Sequence, residues 1–128
     1  GGMLVVEMKR YYLICTHLSL SEPHRVESVA IIKDVISKLK DKPVLIAGDM
    51  NAQPTTKPIV AFKEFATLLS DDTWLTYSSN NPRRCIDYIF GVNGKFNVTK
   101  RHIFNQSLLS DHFPIYVDVK VGKTKSKK

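Results

Sequence analysis

The sequence predicts an α/β fold. The uninterrupted apolar run 43–47 is typical of a strand that is covered on both faces. Between Ser21 and Lys40, apolar residues recur at steps of three and four, which predicts an amphipathic helix. Two strand-like runs, 4–8 and 11–16, come before that helix. The first part of the chain therefore reads as a strand, helix, strand unit.

The first two strand-like runs are separated only by the polar pair Lys9 and Arg10, which predicts a hairpin whose second strand ends at His17. A second helix is predicted to open at Pro58 and to run through Leu69, because proline is favoured in the first turn of a helix.

Three further strands are predicted in the last third of the chain, over residues 85–92, 96–104 and 112–121. The pair Asn93 and Gly94 predicts a hairpin turn between the first two of them. Residues 78–82 are typical of a loop.

Composition is that of a globular domain, since 43% of the 128 residues are hydrophobic and 24% are charged. The formal net charge is +7, but four of the lysines lie in residues 122–128. Residues 1–121 therefore carry +3 and are expected to form the domain, with 122–128 as a disordered Lys-rich tail. No apolar run approaches the roughly 20 residues of a membrane-spanning helix, so no membrane anchor is expected.

The two cysteines, Cys15 and Cys85, match no zinc-binding spacing. Both lie in apolar strand-like runs, which predicts buried free thiols.

Polar groups that could do chemistry stand at the ends of the apolar runs, where α/β folds gather functional side chains. They are His17, Asp49, Asn51, Asp87, Asp111 and His112. Each also has a simpler interpretation: His17 as a half-buried surface residue, and Asp49 as part of an Asx turn. Asp87 is flanked by apolar residues, so it either faces water or accepts from a specific donor, for which His112 is a candidate.

Four short motifs, in chain order, resemble the second half of the endonuclease/exonuclease/phosphatase (DNase I-like) superfamily. They are Thr16-His17-Leu18, Gly48-Asp49-Met50-Asn51, Ile86-Asp87-Tyr88-Ile89-Phe90 and Ser110-Asp111-His112-Phe113-Pro114. The resemblance extends from Thr16 to Val121. It implies half of a four-layer α/β sandwich, with one mixed sheet and helices on its outer face, and metal-dependent cleavage of a phosphate ester by water.

The resemblance also implies roles for these residues. Asp49 would orient and deprotonate the attacking water, and Asn51 and His17 would contact the phosphate. Asp87 would hold His112, which would hydrogen-bond the scissile phosphate. Asp111 would lie close to the metal, Mg²⁺ or Mn²⁺, together with Asp49.

Members of this superfamily consist of two similar halves, and the first half supplies a Glu that is the principal metal ligand. Glu7 is the candidate acid before His17, and its position in a strand favours a solvent-facing residue. The metal is therefore expected to be held weakly by this chain. The expected partners are a phosphate ester, nucleic acid included, and either the missing N-terminal half or a second copy in a homodimer.

Two other functions remain open at this stage. One is a non-catalytic module that binds phosphorylated ligands or nucleic acid, and the other is a hydrolase that uses Ser110, His112 and Asp87. The second lacks the glycines of a nucleophile elbow. Substrate selection is expected in the loop 74–84, which carries Tyr77, Arg83 and Arg84. Arg84 or its neighbour Arg83 would bind a phosphate or simply be solvated.

Overall fold

The computed structural model describes residues 2–123 as seven strands and two helices. In chain order these are β1 (Gly2–Glu7), β2 (Tyr12–His17), α1 (Glu22–Ser37), β3 (Val44–Asp49), α2 (Lys57–Phe65), β4 (Thr67–Leu68), β5 (Asp87–Val92), β6 (Gly94–Ile103) and β7 (Ile115–Lys123). The fold is α/β, as the sequence predicts.

The main sheet has five strands in the order β1-β2-β3-β5-β4. β1 and β2 form the predicted hairpin, and β2 runs parallel to β3 through the crossover helix α1. β5 runs antiparallel to β3 and to the two-residue strand β4. The predicted mixed sheet is confirmed, but β6 and β7 form a second, two-stranded sheet that the sequence did not predict.

One face of the main sheet is buried against both helices. Its side chains alternate along each central strand with those of the other face, as strand geometry requires. The core they form with the helices includes Ile14, Val44, Ile46, Tyr88 and Phe90 from the sheet and Val29, Ile32, Ile36, Ile59 and Phe62 from the helices. The stacked rings of Phe62 and Phe90, with centroids 5.0 Å apart, join α2 to the sheet.

The opposite face of the sheet is apolar but only partly covered, and we call it the open face. It consists of Leu4, Val6, Leu13, Cys15, Leu45, Ala47 and Ile89, which form rows in register across four strands. Leu4 is 61% exposed, and Cys15 is exposed although the sequence predicts a buried thiol. Cys85 is buried as predicted.

The hairpin predicted at Asn93 and Gly94 is wrong. Both edges of β5 are already paired, one with β3 and the other with β4, so β6 leaves the sheet after the turn. Asn93 does adopt the left-handed conformation of a tight turn, with φ 58°. β6 pairs with β7 instead, and the ring of Phe96 packs on Gly91 of β5.

The second helix is shorter than predicted, because it ends at Phe65 and the chain becomes extended at Ala66. Thr67 and Leu68 then form β4 on the free edge of β5. The apolar spacing continues through Leu69, which is buried beside the sheet, so periodicity alone could not locate the end of the helix.

The last strand begins at Ile115 and continues through Gly122 and Lys123, beyond the expected boundary at Val121. Residues 124–128, which carry the rest of the predicted Lys-rich tail, lie outside the described residues. Within residues 2–123, neither helix is long and apolar enough to cross a bilayer.

Candidate active site

Three of the predicted site residues lie side by side at one end of the main sheet. His17 is opposite Asp49 in the β2/β3 pairing, and Asp49 is opposite Asp87 in the β3/β5 pairing. The parallel strands β2 and β3 end at this row, and the antiparallel strand β5 begins there. Alternation along the strands places the row on the same side as the open face.

Gly48 allows β3 to reach this row. Its φ is 152°, and a Cβ at this position would overlap the backbone carbonyl of Thr16 on the neighbouring strand. The residue before Asp49 must therefore be glycine, since any side chain would push β3 away from β2.

Asp49 and Asn51 form a turn, as the simpler interpretation of their sequence predicts. The backbone N–H of Asn51 donates to Oδ1 of Asp49 at 2.8 Å, and Asn51 has a left-handed φ of 48°. The side-chain amide of Asn51 donates to the Leu18 carbonyl at 2.6 Å. The turn engages only one carboxylate oxygen of Asp49, so the other is free to serve the site.

His112 is brought to the row by loops rather than by the last strand. The Phe113 N–H donates to the Thr76 carbonyl at 2.8 Å, and the His112 ring lies 5.0 Å from the ring of Tyr77. Nδ1 of His112 is 2.8 Å from Oδ2 of Asp87. This is the dyad suggested by the sequence from the cost of an unpartnered carboxylate in an apolar strand.

The free oxygen of Asp49 lies between two imidazoles. Its Oδ2 is 3.5 Å from Nε2 of His112 and 3.5 Å from Nε2 of His17. The side chains of Asp49 and His112 are 18% and 27% exposed, whereas that of His17 is 69% exposed. Asp49 is therefore the centre of the group, and His17 forms its solvent side.

The electrostatics of the dyad favour a charged imidazole. Burial alone would lower the pKa of His112, but the hydrogen bond to Asp87 and the negative charges of Asp87, Asp49 and Asp111 outweigh it and raise that pKa above its usual value. Burial also raises the pKa of Asp87, against hydrogen bonds from Thr76 and His112.

The side chains that could hold a cation lie close together around Asp49. Ligand atoms of Asp49, Asp87 and His112 lie within 4.8 Å of one another. The carboxylate of Asp87 is already engaged by His112, which leaves Asp49 as the central oxygen donor. Asp111, the other predicted metal ligand, lies outside this group but lines the same cavity.

An open cavity of about 970 Å³ covers this end of the sheet. It is lined by His17, Leu18, Ser19, Leu20, Arg25, Asp49, Asn51, Ala52, Gln53, Thr56, Tyr77, Arg84, Ile86, Asp111 and His112. All predicted site residues line it except Asp87, which reaches it through His112. Arg84 of the 74–84 loop lines it, whereas Arg83 is absent from this lining.

Sequence reasoning missed two residues at this site, Arg25 and Thr76. Thr76 is fully buried, and a buried hydroxyl next to apolar positions is indistinguishable in sequence from a surface one. Arg25 stands at the start of the predicted α1, where a charged residue is usually solvated. Tyr77 also lines the cavity, and it belongs to the 74–84 loop in which the sequence predicts substrate selection.

The Ser-His-Asp alternative has no support among residues 2–123. The hydroxyl of Ser110 accepts from the backbone N–H of His112 at 3.2 Å and lies near its own neighbour Asp111. Among residues 2–123, the Ser110 hydroxyl makes no hydrogen bond to either ring nitrogen of His112, so it is not placed to pass a proton to the imidazole.

Glu7 lies in a different part of the molecule. Its carboxylate is bound by Lys42 at 2.7 Å and Lys40 at 3.2 Å, and its side chain is 45% exposed. The prediction of a solvent-facing residue is confirmed, since Glu7 is exposed, and it is not among the residues that line the cavity.

The chain resembles known proteins in sequence and in fold. The chain is 28% identical over 118 residues to the uncharacterized protein YbhP of Escherichia coli K12, covering 87% of this chain and 47% of that protein. The fold matches an endonuclease/exonuclease/phosphatase from Bacteroides vulgatus with a TM-score of 0.72 and 21% identity, over 87% of this chain and 49% of that one. It also matches a Bacteroides thetaiotaomicron mannosyl-6-phosphatase with a TM-score of 0.63 and 22% identity, over 86% and 51% of the two chains.

The chain thus spans about half the length of the relatives it matches. The profile of the Endonuclease/Exonuclease/phosphatase family matches residues 12–112, which include the whole of the row and the His112 dyad. The solved structures it resembles share the DNase I-like fold. On these grounds the chain belongs to the endonuclease/exonuclease/phosphatase family.

Proposed function

We propose that this chain carries one half of an active site, and that the complete site hydrolyses phosphate esters with water and a divalent cation. The observation that carries the proposal is a carboxylate, Asp49, placed between two imidazoles, one of which is oriented by Asp87. Family membership supports phosphoesterase activity in general terms.

Asp49 is the proposed general base. The turn fixes its Oδ1 through the backbone N–H of Asn51, so Oδ2 points to the imidazoles and to the cavity. A carboxylate held in this way accepts a proton from a water molecule that stands in line with the phosphorus atom.

His112 is the proposed donor to the phosphate. The bond from Nδ1 to Asp87 fixes the ring and leaves Nε2 for the substrate, and the raised pKa keeps the ring protonated over more of the neutral range. A preorganised hydrogen-bond donor stabilises the negative charge that spreads over the phosphoryl oxygens in the transition state. His17, Asn51 and Arg84 are proposed to contact the same phosphate from the other cavity walls.

The residues fit a cation only in part. Asp49 and Asp111 would hold Mg²⁺ or Mn²⁺, ions that prefer about six oxygen ligands, so most positions remain for water or for another part of the parent protein. When bound, the cation would neutralise charge on the phosphoryl oxygens. Asp87 is excluded from this set, because its carboxylate is needed to hold His112.

The open face supports the proposal that the other half of the site lies on a second sheet. This apolar surface runs directly into the row of His17, Asp49 and Asp87, so whatever covers it also reaches the site. We propose that in the parent protein a second half packs on the open face and supplies the missing Glu ligand. An exposed apolar face of this kind is otherwise a site of association.

The test is hydrolysis of a chromogenic phosphodiester and phosphomonoester during titration with Mg²⁺ and Mn²⁺. The chain alone is expected to turn over slowly, and the same chain joined to the rest of its parent protein at least about 100-fold faster. A firmly bound cation supplies several kcal/mol of transition-state stabilisation, and each 1.4 kcal/mol is about tenfold in rate. Brisk metal-dependent turnover by a monomeric 128-residue chain would contradict the half-site.

The same experiment separates the alternatives. Ligand binding without turnover in the joined protein would support the non-catalytic module instead. Sedimentation of the chain alone is expected to show self-association through the open face, and a compact dimer with full activity would identify a second copy as the other half.

A further inference from the structure

The turn that follows β2 is fastened at three points. The Leu18 N–H donates to the Asp49 carbonyl at 2.9 Å, which extends the β2/β3 pairing by one bond. The Leu18 carbonyl accepts from Asn51, as described above. The next carbonyl, that of Ser19, accepts from Nη1 of Arg25 at 3.2 Å.

Arg25 lies in the first turn of α1 and lines the same cavity as His17 and Asn51. Its Nε is buried and has no hydrogen-bond partner among residues 2–123. A buried donor without a partner is unfavourable, so the position is not explained by its contribution to packing alone. Because Nε is closed off from the cavity, direct contact of that nitrogen with a substrate does not explain it either.

We propose that Arg25 is a positioning residue for the site. It ties the Ser19 carbonyl to α1, and this keeps the Leu18 carbonyl where the side chain of Asn51 can reach it. Asn51 in turn fixes Oδ1 of Asp49, so Arg25 acts on the base through three consecutive hydrogen bonds. The inference rests on the proposed function, but its test does not require a measurement of turnover.

The test is hydrogen exchange followed by NMR in the chain with Arg25→Met and Arg25→Lys. Arg25→Met keeps the aliphatic length and removes every donor, so exchange of the Asn51 side-chain amide and the Leu18 N–H should speed up at least tenfold. Arg25→Lys keeps one donor for the Ser19 carbonyl and should restore most of the protection. The control Arg83→Ala removes an arginine that does not line the cavity and should change neither rate.

Amides of the central strands, such as those of Ile46 and Phe90, serve as the internal reference. Equal acceleration at these amides would show that Arg25 only stabilises the fold, and unchanged exchange at Asn51 would show that it does not position the turn. Either result overturns the proposal. If Arg25→Met does not fold, the wild-type chain decides: absence of a through-bond coupling between Arg25 Nη1 and the Ser19 carbonyl overturns it, and its presence supports it.

Discussion

Asp49 uses its two carboxylate oxygens for different tasks, one in the turn with Asn51 and one toward the imidazoles. Asp49→Asn keeps the volume and the turn acceptor but removes proton acceptance. In a catalytically complete form, turnover of a phosphate ester should fall by about 10²- to 10⁴-fold with little change in unfolding free energy. Asp41→Asn, at an exposed position before β3, is the matched control. Near-normal turnover by Asp49→Asn would remove this residue from the mechanism.

Asn51 combines a left-handed backbone with a side-chain bond, and two substitutions separate these roles. Asn51→Gly loses the bond to the Leu18 carbonyl but accepts the φ of 48°, whereas Asn51→Ala loses the bond and also strains the backbone. We expect the alanine variant to be less stable than the glycine variant by about 1 kcal/mol in urea unfolding. Equal stabilities would mean that the turn does not need a left-handed residue.

At the scale of elements, Glu7 joins the end of β1 to the segment between α1 and β3. Hydrogen bonds from Lys42 and then Lys40 lower the pKa of Glu7 from 4.5 to about 2. Because the folded value is the lower one, this link stabilises the fold above pH 4.5 and is lost as the pH falls toward 2.

Glu7→Gln removes that pH dependence. The variant should be less stable than the wild type at pH 6, and the difference should narrow as the pH falls from 4.5 to about 2, as measured by urea unfolding at a series of pH values. Added salt should also narrow this difference in stability, since Glu7 and Lys40 are exposed. A difference that stays constant down to pH 2 would show that Glu7 acts through packing and not through its charge.

Elements with strong local signals were predictable. The helix α1 buries Val29, Ile32 and Ile36, a spacing visible in the sequence, and β3 follows from an apolar run that only a covered strand explains. The ends of α1 were harder to predict than its centre. The N-cap residue Ser21 makes no side-chain capping bond, and the last turn of the predicted helix is not helical.

Elements that depend on distant partners were not predictable. The turn at Asn93 indicates a change of direction, but only the occupied edges of β5 decide that β6 leaves the sheet. β4 exists because β5 offers a free edge to Thr67 and Leu68. No local pattern in residues 67–68 predicts this pairing with β5.

At the scale of the whole molecule, the site is more predictable than the topology. His17, Asp49 and Asp87 each end or begin an apolar run, and a row in register places them together. His112 was predicted as the partner of Asp87, because a carboxylate in an apolar strand is unfavourable without a hydrogen-bond donor. Thr76 and Arg25 were not found, because their roles depend on how loops and α1 fold over the row.

Cys15 is exposed on the open face, so the reactivity of its thiol shows whether another part of the protein covers that face. Cys85 is 3% exposed, and burial raises its pKa to about 11, so its reactive thiolate is scarce. A thiol reagent should therefore modify one cysteine rapidly in the isolated chain, and Cys15→Ser should abolish that phase. When another sheet covers the open face, the rapid phase should disappear. Labelling that stays equally fast in the assembled protein would mean that this face remains in contact with solvent.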